Sequence, residues 1–136
     1  MNITEITWDY IERFVQMVAD KCGEDIPTGV YGLPRGGLVP AVMLSHKLGV
    51  PLLAAPSRGC LVVDDIADSG DSLIHYARMG YDIAVVICKA DCPVKPKYSY
   101  TTFTDNWIKF PWECQSMSDT IADADNYYCK KGRNRL

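Results

Sequence analysis

Leu61-Val62-Val63-Asp64-Asp65-Ile66-Ala67-Asp68-Ser69-Gly70-Asp71-Ser72-Leu73 decides how the rest of the chain is read. From Cys60 to Ile66 the residues are those of a buried strand, and that strand runs into acids at its exit. Small and polar residues from Ala67 to Asp71 form a loop, and Ser72 to Met79 is predicted as a helix. Backbone N–H groups where a loop enters a helix make a cradle for phosphate. Ser69 and Ser72 add hydroxyls, and Gly70 lets a ligand approach the backbone closely. Asp64 and Asp65 have the wrong charge for phosphate. They suit ribose hydroxyls, or Mg²⁺ bridging ribose and diphosphate. Any one of these acids alone fits a solvated strand end or a helix cap; the whole run in this order points to function.

Outward from that stretch, Ile83 to Cys88 is a second buried-type strand, and Gly29 to Leu33 a shorter one. Pro34-Arg35-Gly36-Gly37 is a tight turn, and Leu38 to Leu48 a helix that tolerates Pro40 only in its first turn. Residues 7 to 22 carry a helical stripe of Trp8, Ile11, Val15, Val18 and Cys22, with Thr7 as N-cap and Gly23 as stop. Residues 51 to 55 offer a further strand, Tyr98 to Phe103 an edge strand, and Trp107 to Trp112 an aromatic cluster broken by Pro111. Unbroken apolar strands alternating with helices imply a parallel α/β sheet covered by helices on both faces, here one domain over residues 1–136. In such sheets ligands bind at the carboxyl ends of the strands, where both glycine-bearing turns fall.

The bulk properties narrow the partners. A formal net charge of -3 argues against a broad nucleic-acid footprint. No apolar run approaches the roughly 20 residues of a membrane span, and the acidic N-terminus does not read as a signal peptide. A cytoplasmic protein acting on small molecules, with a homo-oligomer left open, is the expectation. The cysteines at 22, 60, 88, 92, 114 and 129 form no Cys-x-x-Cys pair and lack histidines at ligand spacing, so reduced, structural thiols are expected; only Cys88 and Cys92 leave a pairing open. The basic run from Lys130 to Arg135 reads as a solvated end of the polar stretch 115–136.

The stretch around Asp64 to Ser72 resembles the phosphoribosyl-diphosphate (PRPP) motif of the type I phosphoribosyltransferases. Gly32 to Pro40 resembles the turn that receives diphosphate in the same family. Ile6 to Asp9, Lys89, Asp105 to Ile108 and Phe110 to Glu113 extend the likeness to the bacterial xanthine-guanine (purine) branch. The resemblance implies the type I phosphoribosyltransferase fold, Mg²⁺ as cofactor, and transfer of 5-phosphoribosyl from PRPP to guanine, xanthine or hypoxanthine. It implies PRPP contacts from Arg35, Gly36, Asp64, Asp65, Asp68, Ser69, Gly70, Asp71 and Ser72, and metal contacts from Asp64 and Asp65. Lys89 would donate to the purine's exocyclic oxygen, Trp107 would stack on the base, the Ile108 backbone would read its edge, and Asp68 would be the catalytic base near N7.

The chain departs from the family between the helix at 38–48 and the strand at 60–66. The family carries a long closing loop there; Val50 to Gly59 has room for one strand and a tight turn. The rival reading is therefore a non-catalytic PRPP- or nucleotide-binding module that kept the pocket and lost the lid. A response-regulator-like domain would spread its acids over several strand ends, whereas here they cluster after one.

Overall fold

The structure, a computed structural model, describes residues 2–113. In chain order the elements are β1 (Ile3–Glu5), α1 (Trp8–Cys22), β2 (Val30–Gly32), α2 (Leu38–Leu48), β3 (Leu61–Ala67), α3 (Ile74–Arg78), β4 (Asp82–Lys89), β5 (Tyr98–Thr102) and β6 (Trp107–Lys109). Strands β2-β3-β4-β5 form one sheet in that order, with every pair parallel. Parallel neighbours need crossovers, and crossovers cover both faces; hence the continuous Leu61-Val62-Val63 and Ile83-Ala84-Val85-Val86 runs. Alternation divides them. Leu61, Val63, Ala84 and Val86 pack with Ile11, Phe14 and Leu44 of α1 and α2. Val62, Ile83 and Val85 pack with Leu73, Ile74 and Tyr76 around α3. The α/β sheet with helices on both faces is thus the one expected. The β4–β5 register shifts between Val85 and Ile87, a bulge at the point where the strand nears its carboxyl end.

Local chemistry explains the helices. Thr7 caps α1, its hydroxyl accepting the Tyr10 N–H at 3.2 Å, and Gly23 with φ 55° closes it. Pro40 lies in the first turn of α2, where its missing N–H costs no helical bond. Two details differ from the sequence reading of α1. Trp8 is 49% exposed, whereas Phe14, outside the assigned stripe, is fully buried. The helical stripe is wider than the spacing chosen for it, and Trp8 sits at its rim, 6.0 Å from the Trp112 ring.

Three further corrections concern loops. The helix expected from Ser72 begins at Ile74 and has five residues. Leu73 and Ile74 N–H groups both donate to Gly70 O, at 3.0 and 2.8 Å, so residues 71–73 form a turn first. Residues 51–55 make only an isolated parallel bridge, Leu52 to Val30. Nothing in the sequence reading foresaw that β1 and β6 would pair as a separate two-stranded parallel ribbon, Thr4 opposite Ile108. The polar stretch 115–136, with its basic tail and Cys129, and Cys114 before it, lie outside the described residues. Cys22, Cys60, Cys88 and Cys92 are buried free thiols. Among the described residues no helix is long and apolar enough to cross a membrane.

Candidate active site

Because β2 to β5 are parallel, their carboxyl ends share one edge. That edge gathers the turn after β2, the loop after β3, Lys89 ending β4 and the loop after β5. A cleft there is lined by Asp64 and by every residue from Ile66 to Leu73. Gly70 holds φ 84°, and a Cβ on it would lie 2.9 Å from Val94 Cγ2 and 3.3 Å from Cys92 Sγ, so only glycine fits. The Ser69 hydroxyl accepts the Asp71 N–H at 3.4 Å and bends the loop. The cleft therefore rests on loop backbone of residues 69–72 rather than on a helix terminus.

The turn after β2 is strapped to β3. Leu33 N–H donates to Val63 O at 2.9 Å, and Gly37 N–H donates back to Leu33 O at 2.9 Å. A Cβ on Gly37 would lie 2.5 Å from Val63 O. Gly36 faces Asp65 directly; a Cβ there would lie 2.5 Å from Asp65 Cγ. The peptide between Pro34 and Arg35 is cis. Arg35 itself is exposed. Two stretches far apart in sequence, Arg35-Gly36 and Asp64-Asp65, are thereby in contact.

The acids are held differently. Asp64 is 2% exposed and its Oδ1 accepts the Asp65 N–H at 2.9 Å. Asp65 is half-buried and its Oδ1 accepts the Ile66 N–H at 2.8 Å. As successive strand residues they diverge: Asp65 meets Gly36, whereas Asp64 faces Tyr76. Burial first, then a hydrogen bond with Tyr31 and the Asp64 charge, raise the Tyr76 phenol above its ordinary range. Among the described residues no group of three or more His, Cys, Asp or Glu could hold a metal by itself. Hard carboxylate oxygens at this edge fit the usual Mg²⁺ arrangement, in which one or two carboxylates share the ion with substrate oxygens and water.

Lys89 is buried, 8% exposed, and its ammonium donates to Thr104 O at 2.9 Å and Asn106 O at 3.2 Å. A lysine has three N–H donors, so one remains for a ligand. The carbonyls belong to the β5–β6 loop, which leads directly into Trp107 and Ile108. Trp107 N–H donates to Asn2 O at 2.9 Å, and Lys109 O accepts the Ile6 N–H at 2.8 Å. Residues 107 and 109 thus turn their peptide groups to β1, and by strand alternation Ile108 turns its own away from β1. The Ile108 side chain is core, 5% exposed.

Sequence reasoning missed the Lys89 tie and the role of Thr104 and Asn106. The signal for them was the polar alternation Thr102-x-Thr104-x-Asn106, whose hydroxyls accept successive N–H groups at 3.3 and 3.1 Å. It also missed Glu113, whose Oε1 accepts the Phe110 N–H at 2.9 Å. Burial, and secondarily the Asp65 charge, push this carboxyl up, with the Phe110 N–H, Lys109 and Arg35 opposing. Arg58 lies before β3, at the opposite end of the sheet. Its carbonyl accepts the Thr28 hydroxyl at 3.0 Å, and Thr28 N–H donates to Gly59 O at 3.0 Å.

No family model matches the chain. It is similar to the xanthine-guanine phosphoribosyltransferase of Vibrio vulnificus, 29% identical over 135 residues, covering 79% of this chain and 87% of the relative. Among solved structures it is similar to a purine phosphoribosyltransferase from Pyrococcus horikoshii, 30% identical, with a TM-score of 0.72, covering 86% of this chain and 97% of that one. A xanthine-guanine-hypoxanthine phosphoribosyltransferase from Helicobacter pylori shares the fold, with a TM-score of 0.67 at 20% identity, covering 94% of this chain and 99% of that one.

Proposed function

We propose, for a chain that belongs to the type I phosphoribosyltransferase family, that it transfers 5-phosphoribosyl from PRPP to a 6-oxopurine, releasing diphosphate, with residues 1–136 acting as one such domain. The observation that carries this reading is Lys89. A buried ammonium pinned by two carbonyls presents its remaining N–H in a fixed direction at the strand ends. Such a group donates to a keto oxygen and cannot accept from an amino group. It therefore favours guanine, xanthine or hypoxanthine over adenine, and leaving a buried donor unsatisfied makes the discrimination large.

The remaining residues take roles consistent with where they sit. Loop residues 69–72 cradle the 5-phosphate, and the Asp64 and Asp65 carboxylates receive the ribose hydroxyls. Gly36 admits the diphosphate turn close to Asp65, and Arg35 binds the leaving diphosphate in a charge-assisted way. Trp107 offers a stacking face, and the Ile108 peptide, turned away from β1, reads the base edge. Asp68, which lines the cleft, takes the N7 proton as the N9–C1 bond forms and the C1–oxygen bond to diphosphate breaks. Mg²⁺, when bound through Asp64 or Asp65 and the substrate, would neutralise charge on the diphosphate. Positioning and charge stabilisation supply most of the rate.

The test is diphosphate release from PRPP and Mg²⁺, with guanine, xanthine, hypoxanthine and adenine added singly. Release with one or more 6-oxopurines and none with adenine supports the reading. PRPP binding without release would support instead a non-catalytic binding module.

A further inference from the structure

Several hydrogen bonds hold the β5–β6 loop. Thr104 O and Asn106 O receive the Lys89 ammonium at 2.9 and 3.2 Å. Thr102 and Thr104 hydroxyls accept the next N–H groups along the loop. One bond leaves this group and crosses to a different sheet: Asn106 Nδ2 donates to Thr4 Oγ1 at 3.0 Å. Thr4 is the partner of Ile108 in the β1–β6 register. Asn106 therefore links, within one residue, the Lys89 ammonium on the four-stranded sheet and the ribbon that carries Trp107 and Ile108.

We propose that Thr4 and Asn106 are a positioning pair that sets the Trp107–Ile108 segment at a fixed distance from Lys89, so that a purine meets all three at once. The inference rests on the function proposed above. The ribbon has only three residue pairs, and so short a two-stranded element does not hold its own place. The Asn106 carbonyl fixes one end of the segment to Lys89, and the Asn106 amide adds a side-chain tie to β1 beside the Trp107 N–H to Asn2 O and Ile6 N–H to Lys109 O backbone bonds. Removing that tie loosens the end of the segment nearest Lys89, and with it the base site, and leaves the PRPP loop at 68–72 untouched.

The experiment compares wild type, Thr4→Val, Thr4→Ser, Asn106→Ala and the double variant Thr4→Val with Asn106→Ala in steady-state diphosphate release with separate titrations of base and PRPP. Hydrogen exchange of residues 103–109 is measured in the unliganded proteins. Thr4→Val keeps the shape and removes the acceptor. It is expected to raise the KM for the purine about five- to tenfold, the scale of one lost hydrogen bond, with the KM for PRPP within about twofold, and to speed exchange at Trp107 to Lys109. Thr4→Ser restores both, and Asn106→Ala combined with Thr4→Val adds nothing to the base KM beyond Asn106→Ala alone. A Thr4→Val enzyme with unchanged base KM, an equal loss for both substrates, or failure of serine to restore the wild-type value overturns the pair. A wild type without purine-dependent release overturns the proposed function and this inference with it, and is distinguishable because it needs no variant.

Discussion

Replacing Gly36 by alanine probes the contact that joins the turn after β2 to the acids of β3. The new Cβ would collide with Asp65 Oδ2 and sit 2.5 Å from Cγ. Carbon atoms in ordinary contact stand about 3.5–4.0 Å apart, so the carboxylate must retreat by about 1 Å. It cannot do so freely, because Oδ1 holds the Ile66 N–H at 2.8 Å. Overpacking of this kind costs about 1–3 kcal/mol of stability. Displacing a substrate-holding group by about 1 Å costs on the order of 100-fold in rate, or about 2.7 kcal/mol at the transition state. Gly36→Ala is therefore expected to lower kcat/KM for PRPP by about two orders of magnitude while changing the KM for the purine little. Steady-state diphosphate release and a thermal melt read the two effects. PRPP kinetics within twofold of wild type, in a protein of normal stability, would refute the assignment of this contact to the PRPP site.

Other substitutions separate the remaining roles. Asp68→Asn is expected to lower kcat by about 10²–10⁴-fold, the usual range for a lost general base, while calorimetry shows PRPP binding retained. Gly70→Ala forces a side chain into a left-handed conformation with φ 84° and against Val94; a loss of about 1–2 kcal/mol or more in chemical denaturation is expected, with weaker PRPP binding. Burial, followed by the neighbouring Cys92, raises the Cys88 thiol, so Cys88 should resist a thiol reagent at neutral pH and react only on unfolding, as peptide mapping of labelled protein would show. Glu113 is raised above its ordinary value of 4.5, so the folded state favours its protonated form. Its contribution is present below that value and is lost as pH rises through the raised one; Glu113→Gln should flatten the fall of stability with pH in that window, measured by urea unfolding.

Much of the architecture was legible because it follows from local pattern. Cys60 to Val63 and Ile83 to Cys88 are unbroken apolar runs, the first leading into Asp64 and Asp65, and Thr7 by its hydroxyl and Gly23 and Gly49 by their positive φ mark helix ends. The order of the motifs placed both glycine-bearing turns at one sheet edge, and the first of them meets Asp65 of β3 at Gly36. What escaped depends on partners distant in sequence. Ile3–Glu5 is too short to announce a strand without Trp107–Lys109 beside it. Lys89 looks solvated until the Thr104 and Asn106 carbonyls are brought to it from 15 and 17 residues away. The late start of α3 reflects competition: the Gly70 carbonyl captures the Leu73 and Ile74 N–H groups and holds residues 71–73 in a turn.

The most direct test is to identify the nucleotide formed when the protein is mixed with PRPP, Mg²⁺ and an equimolar mixture of guanine and adenine. With xanthine and hypoxanthine added to the same mixture, the cradle at 69–72, the acids of β3 and the pinned Lys89 together predict a 6-oxopurine nucleoside 5′-monophosphate as the product, with equimolar diphosphate and no adenosine 5′-monophosphate. Adenosine monophosphate as the main product would contradict the role of Lys89, and no nucleotide from any of the four purines would contradict the transfer reaction itself.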